Sequence, residues 1–182
     1  MNRQKLVSYA LGTLILLLAI SAPSPAGEAP VQPDRPFRLK LYHTHTQERI
    51  DVVYRVGDVY IPSAIDQLDR FLRDHRTGDV IQLDRRVFDL LHDLTAAAGR
   101  PDSAIDIICG YRTPWSNDFL RRTTLGVASH SLHMQGEAID IRMPGVSTSQ
   151  LRNVALTLHR GGVGYYPESR FVHVDVGRVR GW

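Results

Sequence analysis

The sequence predicts an α+β fold in which a small antiparallel sheet is covered by three to four helices. Several short segments alternate apolar and polar residues with the period of a β-strand, among them Leu39–Tyr42, Ile50–Tyr54 and Phe171–Val176. Between them lie longer segments whose apolar residues recur at helical spacing. A chain of 182 residues that is 43% apolar and 23% charged has room for one ordinary globular domain.

Residues 1–26 have the composition of a secretory signal peptide. Arg3 and Lys5 precede an apolar run from Val7 to Ile20, and Ser24-Pro25-Ala26 offers small residues for cleavage. The run is shorter than the about 20 residues of a comfortable membrane span. We therefore expect Sec-type export to the periplasm and no stable membrane span after cleavage, with retention as an anchor as the alternative.

Residues 27–36 carry three prolines and are expected to form a flexible leader before a domain at 37–182. Removing residues 1–26 leaves 22 − 2 = 20 basic against 19 acidic residues. This balance argues against a nucleic-acid partner, which would require a dense basic face.

The first half of the domain predicts a hairpin followed by two helices. Leu39–Tyr42 and Ile50–Tyr54 flank a polar turn, and we expect His43 and His45 to be exposed in that turn. Helices are predicted from Pro62 and from Asp84, which is placed as an N-cap.

The second half alternates short strands with helices. Ala104–Cys109 is a β-branched strand, a short helix is predicted within Pro114–Val127, and Ser147 caps a helix over Gln150–His159. Cys109 is the only cysteine, so no internal disulfide can form. We expect a buried, unreactive thiol there, with a nucleophile or a sulfur ligand as weaker alternatives.

One constellation offers the ligands of a catalytic metal. His133 and Asp140 lie in Ser131-Leu-His133-Met-Gln-Gly136-Glu-Ala138-Ile-Asp140, and His173 lies in Phe171-Val-His173-Val-Asp175. Catalytic zinc takes three protein ligands, commonly imidazoles with a carboxylate. Strand alternation places Asp140 and His173 opposite the apolar faces of their strands, so antiparallel pairing would bring them together.

These motifs resemble the zinc DD-peptidases of bacterial cell walls, the VanX-type dipeptidases and the hedgehog-type folds. The sequence is more similar to the YcbK-like (MepK) murein endopeptidase family, from about Pro36 to Trp182. Cys109-Gly-Tyr-Arg112-Thr, Gly161-Gly-Val-Gly-Tyr-Tyr-Pro167 and Arg180-Gly-Trp182 extend the similarity. The resemblance implies one zinc ion held by His133, Asp140 and His173, and peptidoglycan cross-links involving diaminopimelate as the substrate.

Four further residues are candidates for roles in the site. In the resembled family the arginine of the Cys109-Gly-Tyr-Arg112 motif lies near the scissile amide, so Arg112 would stabilise the oxyanion that forms on the scissile carbonyl. From their positions, Ser131 is expected to contact a ligand carboxylate or the substrate, and Tyr165 or Tyr166, with Tyr165 preferred, to line the substrate groove; the alternative is that these tyrosines fill the core. VanX-like relatives place a glutamate base where this chain has Arg170. Asp175 is the remaining candidate for the base, and the alternative is that it only orients His173.

The expected function is zinc-dependent hydrolysis of peptidoglycan peptide cross-links in cell-wall growth or remodelling. Two other functions fit the same motifs. A D,D- or L,D-carboxypeptidase or dipeptidase would use the same metal in a more closed pocket. A non-catalytic, zinc-containing wall-binding module would keep the ligands without a base.

Overall fold

A computed structural model describes residues 35–124 and 126–182. The predicted signal peptide and most of the predicted leader lie outside these residues. Within the described part, eight strands form one sheet and four α-helices accompany it. The α+β class and the helix number are as predicted, whereas the sheet is larger than the small one expected.

The chain begins with a three-stranded antiparallel unit and two helices. Strands β1 (Pro36–His43), β2 (Arg49–Val56) and β3 (Val59–Tyr60) pair in sequence order, and β1 starts one residue before the predicted domain boundary. Helix α1 (Pro62–Phe71) begins with proline, and α2 (Arg85–Ala97) is capped by the Asp84 side chain, as predicted.

The remaining elements build the centre and the other edge of the sheet. They are β4 (Ile105–Cys109), α3 (Pro114–Thr123), a 3₁₀ helix (Leu132–Gln135), β5 (Ala138–Arg142), α4 (Thr148–Thr157), β6 (Gly162–Tyr166), β7 (Phe171–Asp175) and β8 (Arg180–Gly181). The strand order is β3-β2-β1-β4-β5-β7-β6-β8, and only the β1–β4 and β6–β8 pairs of the described sheet are parallel.

The two faces of the central strands differ in chemistry. Ile107, Ile139, Ile141, Val172 and Val174 are fully or almost fully buried and belong to one apolar core that also contains residues of α2 and α4. Alternation therefore turns Asp140 and His173 to the opposite face. None of the helices in residues 35–124 and 126–182 has the length and apolar character needed to cross a bilayer.

Candidate metal centre

Three buried side chains meet on the polar face of the sheet. His133 Nε2 lies 3.2 Å from Asp140 Oδ1 and 3.1 Å from His173 Nδ1, and His173 Nδ1 lies 2.9 Å from Asp140 Oδ1. All three residues are at most 8% exposed. The structure thus brings together the three residues that the sequence proposed as metal ligands.

Local structure explains how these side chains converge. Asp140 and His173 are direct cross-strand partners on β5 and β7, so their side chains share one face of the sheet. His133 lies in the 3₁₀ helix, and its backbone N–H donates to the N-cap side chain, Ser131 Oγ. Gly136, between His133 and Asp140, adopts a left-handed φ of 69° and turns the chain into β5.

The ring protons of both histidines are committed away from this cluster. His133 Nδ1 lies 2.8 Å from the carbonyl oxygen of Gly110 and must donate to it, because a carbonyl only accepts. His173 Nε2 lies 3.1 Å from Asp175 Oδ2 and donates to that carboxylate. Two imidazole lone pairs and a carboxylate oxygen therefore face one another, which is the donor set that a divalent cation requires.

The electrostatics of the cluster also favour a cation. Burial lowers the pKa of His133, but the Asp140 carboxylate and the Cys109 side chain together more than offset this and raise it to about 10. Burial raises the pKa of Asp140, but His133 and His173 together hold it far below its usual range. The cluster therefore attracts positive charge, which a proton or a metal ion can supply.

Residues 32–182 match the family model described as peptidoglycan L,D-endopeptidase MepK. The protein of that name from Escherichia coli K12 is 39% identical over 181 residues, which span 100% of this chain and 97% of the relative. The probable peptidoglycan L,D-endopeptidase MepK of Haemophilus influenzae is 36% identical, over 100% of this chain and 95% of its own.

The chain belongs to the peptidoglycan L,D-endopeptidase MepK family. Membership in this family of peptidases makes the chain a hydrolase. The match includes all the described strands and helices, and with them His133, Asp140 and His173. The recognition made from the motifs alone is confirmed.

In this MepK-family chain Asp175 is fully buried and its oxygens are occupied. Besides His173, it accepts hydrogen bonds from the backbone N–H groups of Gly162 at 2.8 Å and Gly177 at 2.9 Å. The guanidinium of Arg180 contacts both oxygens, at 2.7 and 3.1 Å. Burial raises the pKa of Asp175, but these partners hold it well below its ordinary value. The contacts favour the orienting role over that of a base.

Arg112 lies three residues after the end of β4, beside the predicted ligands. Its Nη2 is 3.7 Å from Asp140 Oδ2 and 3.5 Å from Cys109 Sγ, and its Nη1 donates to Asn117 Oδ1 at 3.2 Å. The side chain is 8% exposed and contributes to the cavity wall described below. It is therefore a positive charge fixed in place beside His133, Asp140 and His173, the three candidate ligands that form the metal cup.

Cys109 is buried, as expected, but it does not belong to the apolar core. A β-bulge between Ile107 and Cys109 shifts the register, so Cys109 pairs with Asp140 and joins its face of the sheet. Cys109, His133 and Asp140 each place a ligand atom within 4.8 Å of the others. Burial raises the pKa of the Cys109 thiol, but His133 and Arg112 lower it overall.

A cavity of about 400 Å³ opens onto the metal cup. Ser131, a predicted substrate contact, lines this cavity. Tyr166 lines it too, whereas Tyr165, the preferred tyrosine of the sequence analysis, does not. Tyr165 lies instead beneath the guanidinium of Arg152, at 4.8 Å, because successive strand residues face opposite sides.

Sequence reasoning missed the part that Trp182 takes in the site. Its ring centroid is 5.3 Å from that of His173, and its Nε1 donates to Tyr166 Oη at 3.1 Å. Backbone hydrogen bonds with Val163 and Tyr165 hold this residue against β6. A Cβ on Gly164 would lie 2.7 Å from the Trp182 ring, so this approach requires glycine.

Proposed function

We propose that this protein is a periplasmic, zinc-dependent endopeptidase that hydrolyses peptide cross-links of peptidoglycan, including those that involve diaminopimelate. The proposal is carried by the convergence of His133 Nε2, Asp140 Oδ1 and His173 Nδ1. The other ring nitrogen of each histidine donates its proton to an acceptor outside this cluster, so the converging nitrogens present lone pairs. The relatives named as peptidoglycan L,D-endopeptidases support this substrate class. The protein would act in cell-wall growth or remodelling.

His133, Asp140 and His173 would hold the zinc ion. When bound, zinc would polarise the carbonyl of the scissile amide and make water a better nucleophile near neutral pH. The guanidinium of Arg112 is positioned to stabilise the negative charge that develops on the carbonyl oxygen. Asp175 would keep His173 in the tautomer whose Nδ1 lone pair faces the metal.

Hydrolysis also requires a group that moves a proton from water to the leaving amine. Among the described residues lining the cavity, His130 is the imidazole that does not belong to the metal cup. It is exposed, and its Nδ1 lies 3.1 Å from Ser129 Oγ. We assign this proton transfer to His130, because the oxygens of Asp175 already accept from three kinds of donor.

Replacing His130 by alanine tests that assignment. The His130→Ala protein should retain its zinc, since the cup is intact, and lose about 100-fold or more in kcat, the usual contribution of a general acid or base. A general acid or base contributes one limb to the pH profile of kcat, and the limb that belongs to His130 should be absent from the profile of the variant. A variant with unchanged kcat and pH profile would remove His130 from the mechanism.

Cross-linked muropeptide dimers test the function directly. Protein comprising residues 27–182 should convert dimers joined through an L–D bond into monomers, with D–D-linked dimers left intact, and a chelator should abolish the conversion. Release of a terminal amino acid without monomers would indicate a carboxypeptidase. Bound zinc without cleavage of any dimer would indicate a wall-binding module.

A further inference from the structure

Two aromatic rings are stacked on the outer surface of α3. Trp115 is 62% exposed and Phe119 is 45% exposed, yet their ring centroids lie 5.8 Å apart with only 10° between the planes. They are four residues apart and therefore lie on the same face of the helix. Together they present adjoining apolar surface to water, and contiguous exposed apolar surface can mark a binding site.

This surface is not needed to hold α3 in place. The opposite side of the helix is anchored by Ser116 and Asn117, which are 0% and 3% exposed. Asn117 binds both Arg112 and the carbonyl of Ala128, at 3.2 and 3.0 Å. The helix is therefore fixed through its inner face, and within residues 35–124 and 126–182 the aromatic pair has no structural partner apart from itself.

The aromatic pair adjoins the candidate catalytic cavity along the chain. Arg112, on the cavity wall, directly precedes the N-cap of α3, and Thr124, directly after the helix, also lines the cavity. Ala128, held by Asn117, contributes to the same wall. A polymer that extended out of the cavity along α3 would reach the exposed rings.

The charges of α3 favour an uncharged ligand surface. Asp118 forms ion pairs with Arg121 and Arg122, so the helix carries one net positive charge from these three residues. An anionic membrane surface or a nucleic acid would call for several unpaired cations. Stacked aromatic rings exposed to water are instead suited to the C–H face of a pyranose ring, which buries apolar area against them.

We propose that Trp115 and Phe119 form a docking platform for the glycan strand of peptidoglycan, with N-acetylated hexosamine as the chemical class of ligand. The inference rests on the proposed function, because it takes the polymer of the cross-linked substrate as the occupant. The platform holds the protein on the strand while the adjoining cavity engages a peptide cross-link.

Co-sedimentation tests the platform with the double variant Trp115→Ala/Phe119→Ala. Both side chains are exposed, so their truncation leaves the fold intact. The matched control is Val59→Ala, which removes an apolar side chain that is 71% exposed on β3, at the far edge of the sheet. Each protein is mixed with intact sacculi and with glycan strands from which the peptides have been removed.

The double variant should bind both polymers about tenfold more weakly or worse, as truncated aromatic anchors commonly do. Val59→Ala should bind as the unchanged protein does. Equal binding by the double variant would overturn the platform. Weaker binding to sacculi alone, with glycan binding retained, would also overturn it, because the rings would then recognise peptide.

Turnover separates this inference from the proposed function. The ratio of turnover on sacculi to turnover on sugar-free cross-linked peptide dimers should fall about tenfold in the double variant. An unchanged ratio would contradict the platform. Absence of dimer cleavage by the unchanged protein would contradict the proposed function, and co-sedimentation would then decide on the platform alone.

Discussion

Replacing Asp175 by asparagine tests how the metal cup is held. Asp175 Oδ2 lies 3.1 Å from His173 Nε2 and 2.7 Å from Arg180 Nη2, and both of these atoms are donors. In Asp175→Asn, an amide nitrogen in the position of Oδ2 would be a third donor facing these two. His173 Nε2 can accept a hydrogen bond from that amide only if the ring proton moves to Nδ1. The Nδ1–H would then point at Asp140 and at the metal position.

The expected losses follow from these contacts. Loss of a carboxylate that orients a metal-binding histidine commonly costs about 10–100-fold in metal affinity. Removing the charge also weakens hydrogen bonds to Arg180, and such bonds contribute about 1.5–3 kcal/mol each. Because the Arg180 side chain is 34% exposed, we expect the free energy of unfolding to fall by about 2 kcal/mol.

Competition with a chromophoric chelator measures the zinc affinity of Asp175→Asn, and thermal unfolding measures its stability. Asp51→Asn is the matched control, because Asp51 pairs with Arg38 at the exposed surface of β1 and β2. It should change neither quantity appreciably. Unchanged zinc affinity in Asp175→Asn, together with slow turnover, would refute the orienting role and return the proton transfer to Asp175.

Three further predictions concern other parts of the site and the fold. Cys109→Ser should keep its zinc, and cobalt-substituted protein should lack a sulfur-to-cobalt charge-transfer band, because His133, Asp140 and His173 already supply three ligands and Cys109 Sγ accepts from Arg112 Nη2 at 3.5 Å; a band that disappears in Cys109→Ser would contradict this. Gly164→Ala should push aside the Trp182 ring, which would lie 2.7 Å from the new Cβ, and lower turnover several-fold without changing metal content; unchanged turnover would show that the ring position is unimportant. Burial and the neighbouring His45 lower the pKa of His43 from 6.5 to about 4. The unfolded chain therefore binds this proton more readily than the folded protein, so the contribution of His43 to the free energy of unfolding is fully present above pH 6.5 and should fall by up to about 3 kcal/mol towards pH 4. In urea titrations, His43→Leu should lose less stability between pH 6.5 and pH 4 than the unchanged protein does, and an equal loss would contradict the assignment to His43.

The sequence was sufficient for features that depend on local pattern. Asp84 and Ser147 cap helices as predicted, because side-chain capping is decided within one turn. The placement of Asp140 and His173 on one face of the sheet followed from strand alternation, because a slip of one residue would turn an apolar face outwards; their direct pairing is seen only in the structure. Gly136 adopts the left-handed conformation that the turn between the ligands requires.

Other features depend on contacts that no local pattern reports. His43 was expected in an exposed turn, but it is fully buried against Phe71 and His75, with ring centroids 5.9 and 5.7 Å away. Cys109 leaves the core face because of a bulge, which the apolar run before it does not reveal. Trp182 reaches the site through pairing of the chain end with β6.

Zinc titration of the metal-free protein is the most direct test of the central claim. Turnover of L–D-linked muropeptide dimers should rise linearly with added zinc and stop rising at one equivalent per chain. His133→Ala should neither bind that equivalent nor gain activity. Full turnover without any bound metal, or tight zinc binding that His133→Ala leaves unchanged, would contradict the account.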